Sequence, residues 1–379
     1  MSINSVGNDE LKSLYGKKYV IKNIFSTFTD EILLHRHIGQ GVISLGSTNI
    51  SRMSENKITV TNYVEASRVV KMLNNIFIIH GVLIDKKNNC FISGAGYHYF
   101  KDRFQVQDTN NSKLLGDLQE FDEVFYIGST NNFGHWVFEY LPKIIWYKHF
   151  FSKHKIPLLI GNEVPKRWYD FIFAIVGPDV PIATYEPNIP VRVKKFFICA
   201  PSVCRNIKNE PVFDADVMSE LRYLIRNHFN INRTQNFNNK VVYASRKLAK
   251  WRKVENEDEF IMWMQKYFKV VIFQPEKLSI QEQFDQFSDA KIFFGTGGAN
   301  MMHFFFSPGQ LFCDVREPGN VGWLSAVFSD YYRLRYYKPA TLLPNSAEND
   351  SITDSINKNV IIDIKKIEED FKILGIISS

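Results

Sequence analysis

His135 and Glu139 stand four residues apart in the run Asn131-Asn132-Phe133-Gly134-His135-Trp136-Val137-Phe138-Glu139-Tyr140-Leu141-Pro142, a spacing that puts both on one face of a helix. The pair could do general-base chemistry. A histidine in the first helical turn feels the positive end of the dipole, which favours the neutral imidazole that can accept a proton. A glutamate set among Val137, Phe138, Tyr140 and Leu141 needs a partner, and His135 and Lys143 are the local candidates. The plainer reading of His135, a hydrogen-bonded residue of an aromatic core, stands beside the catalytic one.

A second group is cationic. From Ser245 the chain reads Arg246-Lys247-Leu248-Ala249-Lys250-Trp251-Arg252-Lys253, five cations in the eight residues from Arg246 to Lys253. A loop of this kind at a strand's carboxyl end can hold a diphosphate, because the arginine fork meets phosphate oxygens bidentately. A third group, Gly295-Thr296-Gly297-Gly298 followed by Ala299 and Asn300, offers backbone N–H groups at a helix start to the same anion. A solvated basic loop and a turn that only packs helix on sheet are the alternatives. No pair of acids of the DxD kind closes a strand, so the expectation is a site with no metal and no cofactor. Cys90, Cys199, Cys204 and Cys313 have neither zinc spacing nor a disulfide framework and read as small buried hydrophobes.

These side chains need strand ends and helix starts to position them. In Lys291 to Val315 an apolar strand, Ile292 to Phe294, meets the glycine turn; a helix over Ala299 to Phe306 runs to Pro308-Gly309, and a second strand follows from Gln310, a βαβ unit. Upstream, from Glu123, strands at Val124–Gly128, Pro157–Gly161 and Val193–Ala200 alternate with helices at Phe133–Phe150, Pro165–Val176 and Asp214–Phe229. The polar run 230–239 reads as a linker. Beyond it come strand Val241–Ala244, helix Glu257–Phe268, strand Val270–Phe273, helix Ser279–Ser288, the βαβ unit, helix Gly322–Tyr332, strand Leu334–Tyr337, a polar stretch 345–358 and a terminal helix Asp363–Leu374.

Such alternation predicts an α/β protein of two doubly wound, Rossmann-like domains facing across a ligand cleft at the carboxyl ends of their sheets. The domains would be 1–232, with an α/β part at 120–232, and 233–379. Residues 17–100, with alternating stretches such as Lys57–Thr61 and Asn75–His80, read as a β-rich lead-in with hairpins.

At 379 residues the chain has length for two cores, and its net charge of +6 suits an anionic ligand or a membrane surface without the charge density of a nucleic-acid binder. The N-terminus lacks the build of a signal peptide and no window reaches the about 18 apolar residues of a membrane span, so a cytoplasmic protein, with peripheral contact at the inner face of the cell membrane as an option, is expected. A dinucleotide-dependent oxidoreductase is a rival for the glycine turn. Against it, no GxGxxG spacing occurs there and Arg316-Glu317-Pro318-Gly319 stands where the acidic strand end about 20 residues on should be.

The segments GHWVFEYLPKI, YASRKLAKWRKVENEDEF (Tyr243 to Phe260), LSIQEQFDQFSDAKIFFG (Leu278 to Gly295) and the turn ending at FFFSPGQLFCDV, in this order over about residues 120–320, together resemble glycosyltransferase family 61. The resemblance implies a GT-B glycosyltransferase acting with inversion on a nucleotide-activated sugar, UDP-linked in the first instance. It implies that Arg246 with Ser245, Lys250, Arg252 and the 295–300 turn holds the donor diphosphate, that Glu282 meets the ribose, and that His135 and Glu139 stand on the acceptor side. The acceptor would be a glycan hydroxyl, lipid-linked glycans included, in a bacterial capsule or other surface polysaccharide. Two positions depart from the family's pattern: Gly297 stands where a histidine is usual and His303 where an asparagine is. A non-catalytic nucleotide- or carbohydrate-binding protein on the same fold is the alternative those departures favour.

Overall fold

Phe125 to Ile127 and Ile292 to Phe294 are almost wholly buried, as the central strands of a parallel sheet covered on both faces must be. The computed structural model describes residues 20–23, 70–79, 82–85, 90–93, 118–151, 153–187, 189–199, 202–205, 211–213, 215–231, 238–249, 252–296, 302–307, 309–318, 335–344 and 358–378. The chain divides into two compact units between Ile225 and Arg226.

The first unit holds a mixed sheet of eight strands in the order β1-β4-β3-β2-β8-β5-β6-β7. They are β1 (Val20–Asn23), β2 (Val70–Ile79), β3 (Val82–Asp85), β4 (Cys90–Ser93), β5 (Gln119–Gly128), β6 (Leu158–Gly161), β7 (Ile182–Tyr185) and β8 (Val191–Cys199). β8, β5, β6 and β7 run parallel, whereas β2 lies antiparallel to β8 from Val70↔Cys199 to Ile78↔Val191. The described strands of the lead-in therefore extend the α/β sheet; they do not form a layer of their own. β8 pairs with β5 on one side only, and β2 covers its other edge while burying Ile76 and Ile78. A short antiparallel ribbon, β9 (Val203–Arg205) with β10 (Pro211–Phe213), follows.

The helix expected over Phe133–Phe150 is built in three pieces. Helix α1 (Phe133–His135) passes into a π-wound segment, Trp136–Tyr140, and α2 (Lys143–Phe151) resumes after a turn. Pro142 supplies the reason: it has no N–H to give to Phe138, and its ring crowds that carbonyl, so the winding opens and the Leu141 N–H donates to the Trp136 carbonyl at 2.8 Å. Helices α3 (Tyr169–Val176) and α4 (Ala215–His228) complete this part, and Lys148 and His149 of α2 both bond Glu220 of α4. The last turn of α4 belongs to the second unit. Arg226 there donates to the carbonyls of Ile231 and Ser307, which ties the chain to that unit before the polar run begins; residues 232–237 of that run lie outside the described residues.

The second unit is a fully parallel sheet in the order β12-β11-β13-β14-β15, made of β11 (Asn238–Ala244), β12 (Lys269–Phe273), β13 (Ala290–Thr296), β14 (Leu311–Val315) and β15 (Tyr336–Tyr337). Its described helices are α5 (Glu257–Gln265), α6 (Ile280–Phe287), α7 (Met302–Phe305) and α8 (Ile364–Ile373), and β16 (Thr341–Leu342) pairs antiparallel with β17 (Ile361–Ile362). Tyr243, Phe260, Trp263, Phe294 and Phe371 pack between α5, α8 and the sheet as one core. The expected stretch Lys57–Thr61 and helix Gly322–Tyr332 lie outside the described residues. Cys199 and Cys313 are buried free thiols. Among the described residues no helix is long and apolar enough to cross a membrane.

Candidate functional site

In the first unit the site is assembled at the carboxyl end of β5. Gly128 closes that strand with φ of +120°, and a Cβ there would collide with the Tyr140 ring, so only glycine lets the helix start lie this close to the strand. The chain then turns through Ser129 to Asn132, where Thr130 Oγ1 accepts from the Asn132 N–H at 3.1 Å. Asn132 caps the helix, its Oδ1 accepting from Gly134 N at 2.9 Å and His135 N at 3.3 Å. His135 is thereby fixed in the first turn.

His135 Nδ1 and Glu139 Oε1 are 2.5 Å apart. A carboxylate only accepts, so Nδ1 donates, and in the neutral imidazole Nε2 is then the nitrogen with the lone pair. The histidine side chain is 22% exposed and the glutamate 8%, which makes the imidazole the member of the pair that a substrate can reach. Below them Lys143 is fully buried, its Nζ donating to the Ile127 carbonyl at 2.7 Å and lying 5.4 and 5.0 Å from the centres of the Tyr126 and Tyr140 rings. Burial lowers its pKa to about 8, against which Cys199 and Glu139 act to raise it. Of the two partners named for Glu139 from sequence, His135 is in direct contact, while the hydrogen bond of Lys143 goes to the Ile127 carbonyl.

In the second unit the parallel strands bring their carboxyl ends together, Ala244 beside Gly295 and Gly295 beside Asp314. Ser245 and Arg246 follow β11, Arg316 follows β14, and Lys338 follows β15. Ser245 Oγ donates to the buried Glu257 at the start of α5 at 2.5 Å and accepts from the Lys247 N–H at 3.2 Å, which locks the turn. The cations sense one another. Burial lowers the pKa of Arg246, with Arg252 adding to it; burial and then Arg316 do the same to Arg252; and Lys338 is lowered by burial, with Arg316 opposing the nearby carboxylates. Arg252 also holds a left-handed backbone, φ +57°, uncommon for a residue with a side chain and frequent where function imposes strain. Asp314 is fully buried between Arg316 Nε, at 2.8 and 2.7 Å from its two oxygens, and the Tyr336 hydroxyl at 3.0 Å.

The structure thus gathers Ser245, Arg246, Arg252, Gly295 and Thr296 at one end of one sheet. Lys247 turns outward to Asp258, with 2.9 Å to both oxygens. Lys250, Gly297, Gly298, Ala299 and Asn300 lie outside the described residues. Glu282 is occupied locally: it forms a capping box with Ser279, accepting from both its N–H and its hydroxyl at 2.8 Å, and lines a groove with Lys240, Lys269 and Asp289 from the amino ends of β11, β12 and β13. Arg316 and Lys338 were not among the sequence candidates. Like Arg246 they stand just after a parallel strand, but each is a single cation, and the five-cation run that marked Arg246 in the sequence has no counterpart there.

His303, one of the atypical positions, is a core residue. Gln283 spends its amide N–H groups on the carbonyls of Pro275 and Leu278, both at 3.0 Å, so its oxygen accepts from His303 Nε2 at 2.6 Å, while Phe273, Phe284 and Phe287 meet the imidazole edge to face. Among the described residues no three or more His, Cys, Asp or Glu side chains are grouped to hold a metal ion.

With both arrangements in view, residues 133–312 match the family described as Glycosyltransferase 61. The match starts at the first residue of α1, takes in His135, Glu139, Ser245, Arg246 and Arg252, and ends within β14. The protein is a glycosyltransferase. More narrowly, residues 133–312 are a domain of glycosyltransferase family 61. No curated protein matches the chain.

Proposed function

We propose that the protein is an inverting transferase of GT-B type that moves a sugar from a nucleoside-diphosphate donor, UDP-linked, to a hydroxyl of a growing glycan such as a capsular or other surface polysaccharide. It would act in the cytoplasm at the inner face of the cell membrane. The observation that carries this reading is the 2.5 Å contact between His135 Nδ1 and Glu139 Oε1, inside the family match, which selects the tautomer with a basic Nε2. In the reaction the acceptor oxygen bonds to the anomeric carbon, its proton passes to His135 Nε2, and the bond from that carbon to the donor phosphate breaks, the electron pair leaving on the diphosphate. Glu139 stabilises the imidazolium. Arg246 and Arg252, with Arg316 and Lys338 beside them, meet the charge that develops on the leaving group, and mutual repulsion among those cations is relieved when the anion arrives.

Release of UDP from UDP-sugars in the presence of glycan acceptors is the direct test; full binding of UDP-sugars with no release across a broad acceptor panel would leave a binding protein instead. Arg246→Ala is expected to weaken UDP at least about tenfold in calorimetry, since charge-assisted contacts to phosphate are strong; unchanged affinity would remove Arg246 from the site. Transfer should also survive EDTA. Asp314, a carboxylate at the strand ends, has both oxygens committed to Arg316 and one to Tyr336 as well. Activity lost to chelation and restored by Mn²⁺ would overturn this and make Asp314 and Glu317 the candidate ligands.

A further inference from the structure

We infer that the outer surface of α2 and α4 docks the protein on a bilayer of anionic lipid, Phe150 and Tyr223 entering the headgroup region while Lys153 and Lys155 meet lipid phosphates. The inference deepens the location at the membrane face proposed above and rests on it.

α2 carries apolar side chains on two sides. On the inner side Ile144, Ile145 and Tyr147 are buried, and Phe151 packs on Phe125 and Phe197 with ring centres 5.5 and 4.7 Å away. A surface helix ordinarily turns polar residues outward. Here Trp146 and Phe150, one turn apart, stack with ring centres at 6.2 Å, and Phe150 is 50% exposed. On α4, Tyr223 is 64% exposed. The two helices meet where Lys148 and His149 bond Glu220 at 2.6 and 2.7 Å, one turn before Tyr223, so the rings share one surface. A single exposed apolar side chain needs no explanation; large rings exposed on both members of a helix pair call for something to cover them.

Charge says what the cover is. Glu220, the carboxylate between the helices, is taken up by Lys148 and His149. After Phe151 the chain turns through Lys153, His154 and Lys155, all three exposed, with Lys155 in left-handed backbone at φ +51° before Ile156 enters the core. Aromatic rings rimmed by lysines suit the boundary of a bilayer, where the rings take the headgroup level and the lysine stems reach the phosphates. A second protein fits less well, because lysine is depleted from protein–protein interfaces. The turn leads into β6, which runs parallel to β5, so it lies at the end of the sheet opposite to His135 and docking leaves that site open.

The test is co-sedimentation of the full-length protein, without donor or acceptor, with vesicles of phosphatidylcholine alone and of phosphatidylcholine with phosphatidylglycerol. The wild type should sediment with the anionic vesicles and not with the neutral ones, and added salt should weaken the binding. Phe150→Ser/Tyr223→Ser and, separately, Lys153→Glu/Lys155→Glu should each lower the partition coefficient at least about tenfold, while UDP release from a UDP-sugar in lipid-free solution stays unchanged. Wild-type partition in either folded variant, or no binding by the wild-type protein, would overturn the inference. A wild-type dimer that Phe150→Ser/Tyr223→Ser turns into a monomer in analytical ultracentrifugation would overturn it too, making this face a contact with a second copy. If the aromatic variant does not fold, the lysine variant decides, since both lysines stand in an exposed turn. The reading above fails differently: a protein that binds anionic vesicles but releases no UDP keeps this surface and loses the UDP-sugar reaction, and one that releases UDP and ignores the vesicles does the reverse.

Discussion

Replacing His135 with alanine is expected to cut kcat by about a hundredfold or more while leaving the donor KM nearly unchanged. The imidazole is the reachable member of the pair, and its Nε2 is the nitrogen left basic by the 2.5 Å contact of Nδ1 with Glu139. The donor contacts are assigned to the other unit, so the loss should fall on the chemical step. Glu139→Gln should cost less, because an amide oxygen can still accept from Nδ1 although it no longer stabilises the imidazolium charge. Were Glu139→Gln the more damaging change, the carboxylate itself would be the base. A folded His135→Ala protein turning over at the wild-type rate would make His135 a packing residue.

The second large effect is on stability. Arg316→Ala should cost about 3–5 kcal/mol, read as a lower urea midpoint at unchanged slope, because it leaves Asp314 fully buried with the Tyr336 hydroxyl in place of a charged partner. Burial alone pushes the Asp314 carboxyl up, and Arg316 is the first influence opposing it. Removing both charges in Asp314→Asn/Arg316→Met should recover part of that loss, since breaking a buried pair is worse than deleting it. A single Arg316→Ala change that costs under about 1 kcal/mol would show that the strand end is held by its backbone ladder and not by this pair.

How much of this could be read from sequence depends on the kind of signal. His135 and Glu139 were legible because a four-residue spacing survives even where the helix opens into a π turn; the opening itself was not, since it follows from Pro142 acting on a carbonyl four residues back. Ser245 and Arg246 announced themselves as a cation-rich loop after an apolar run. Arg316 and Lys338 are single cations each following a short apolar stretch, and only the parallel order of β11, β13, β14 and β15 brings them beside Arg246. Glu282 illustrates the opposite case. Its position within a family-like segment suggested a ligand contact, while the Ser279-x-x-Glu282 pattern is also a capping box, and that is the role its hydrogen bonds fill. The parallel strands β5, β6 and β8 were legible, but the joining of the lead-in strands to their sheet was not, because pairing of β2 with β8 joins residues more than a hundred positions apart and leaves no local trace.

That long-range pairing sets an order of assembly. As the chain emerges from the ribosome, Val70–Ile79 can close its hairpin with Val82–Asp85 at once, but its other edge stays bare until Val191–Cys199 has been made and the parallel strands have formed beside it. At synthesis rates of about 5–20 residues per second that edge is exposed for some seconds, longer than a hairpin needs to find a wrong partner. Overproduction should therefore favour intermolecular pairing through β2, and slower synthesis or a holding chaperone should raise the yield of folded enzyme more than any change made within the second unit.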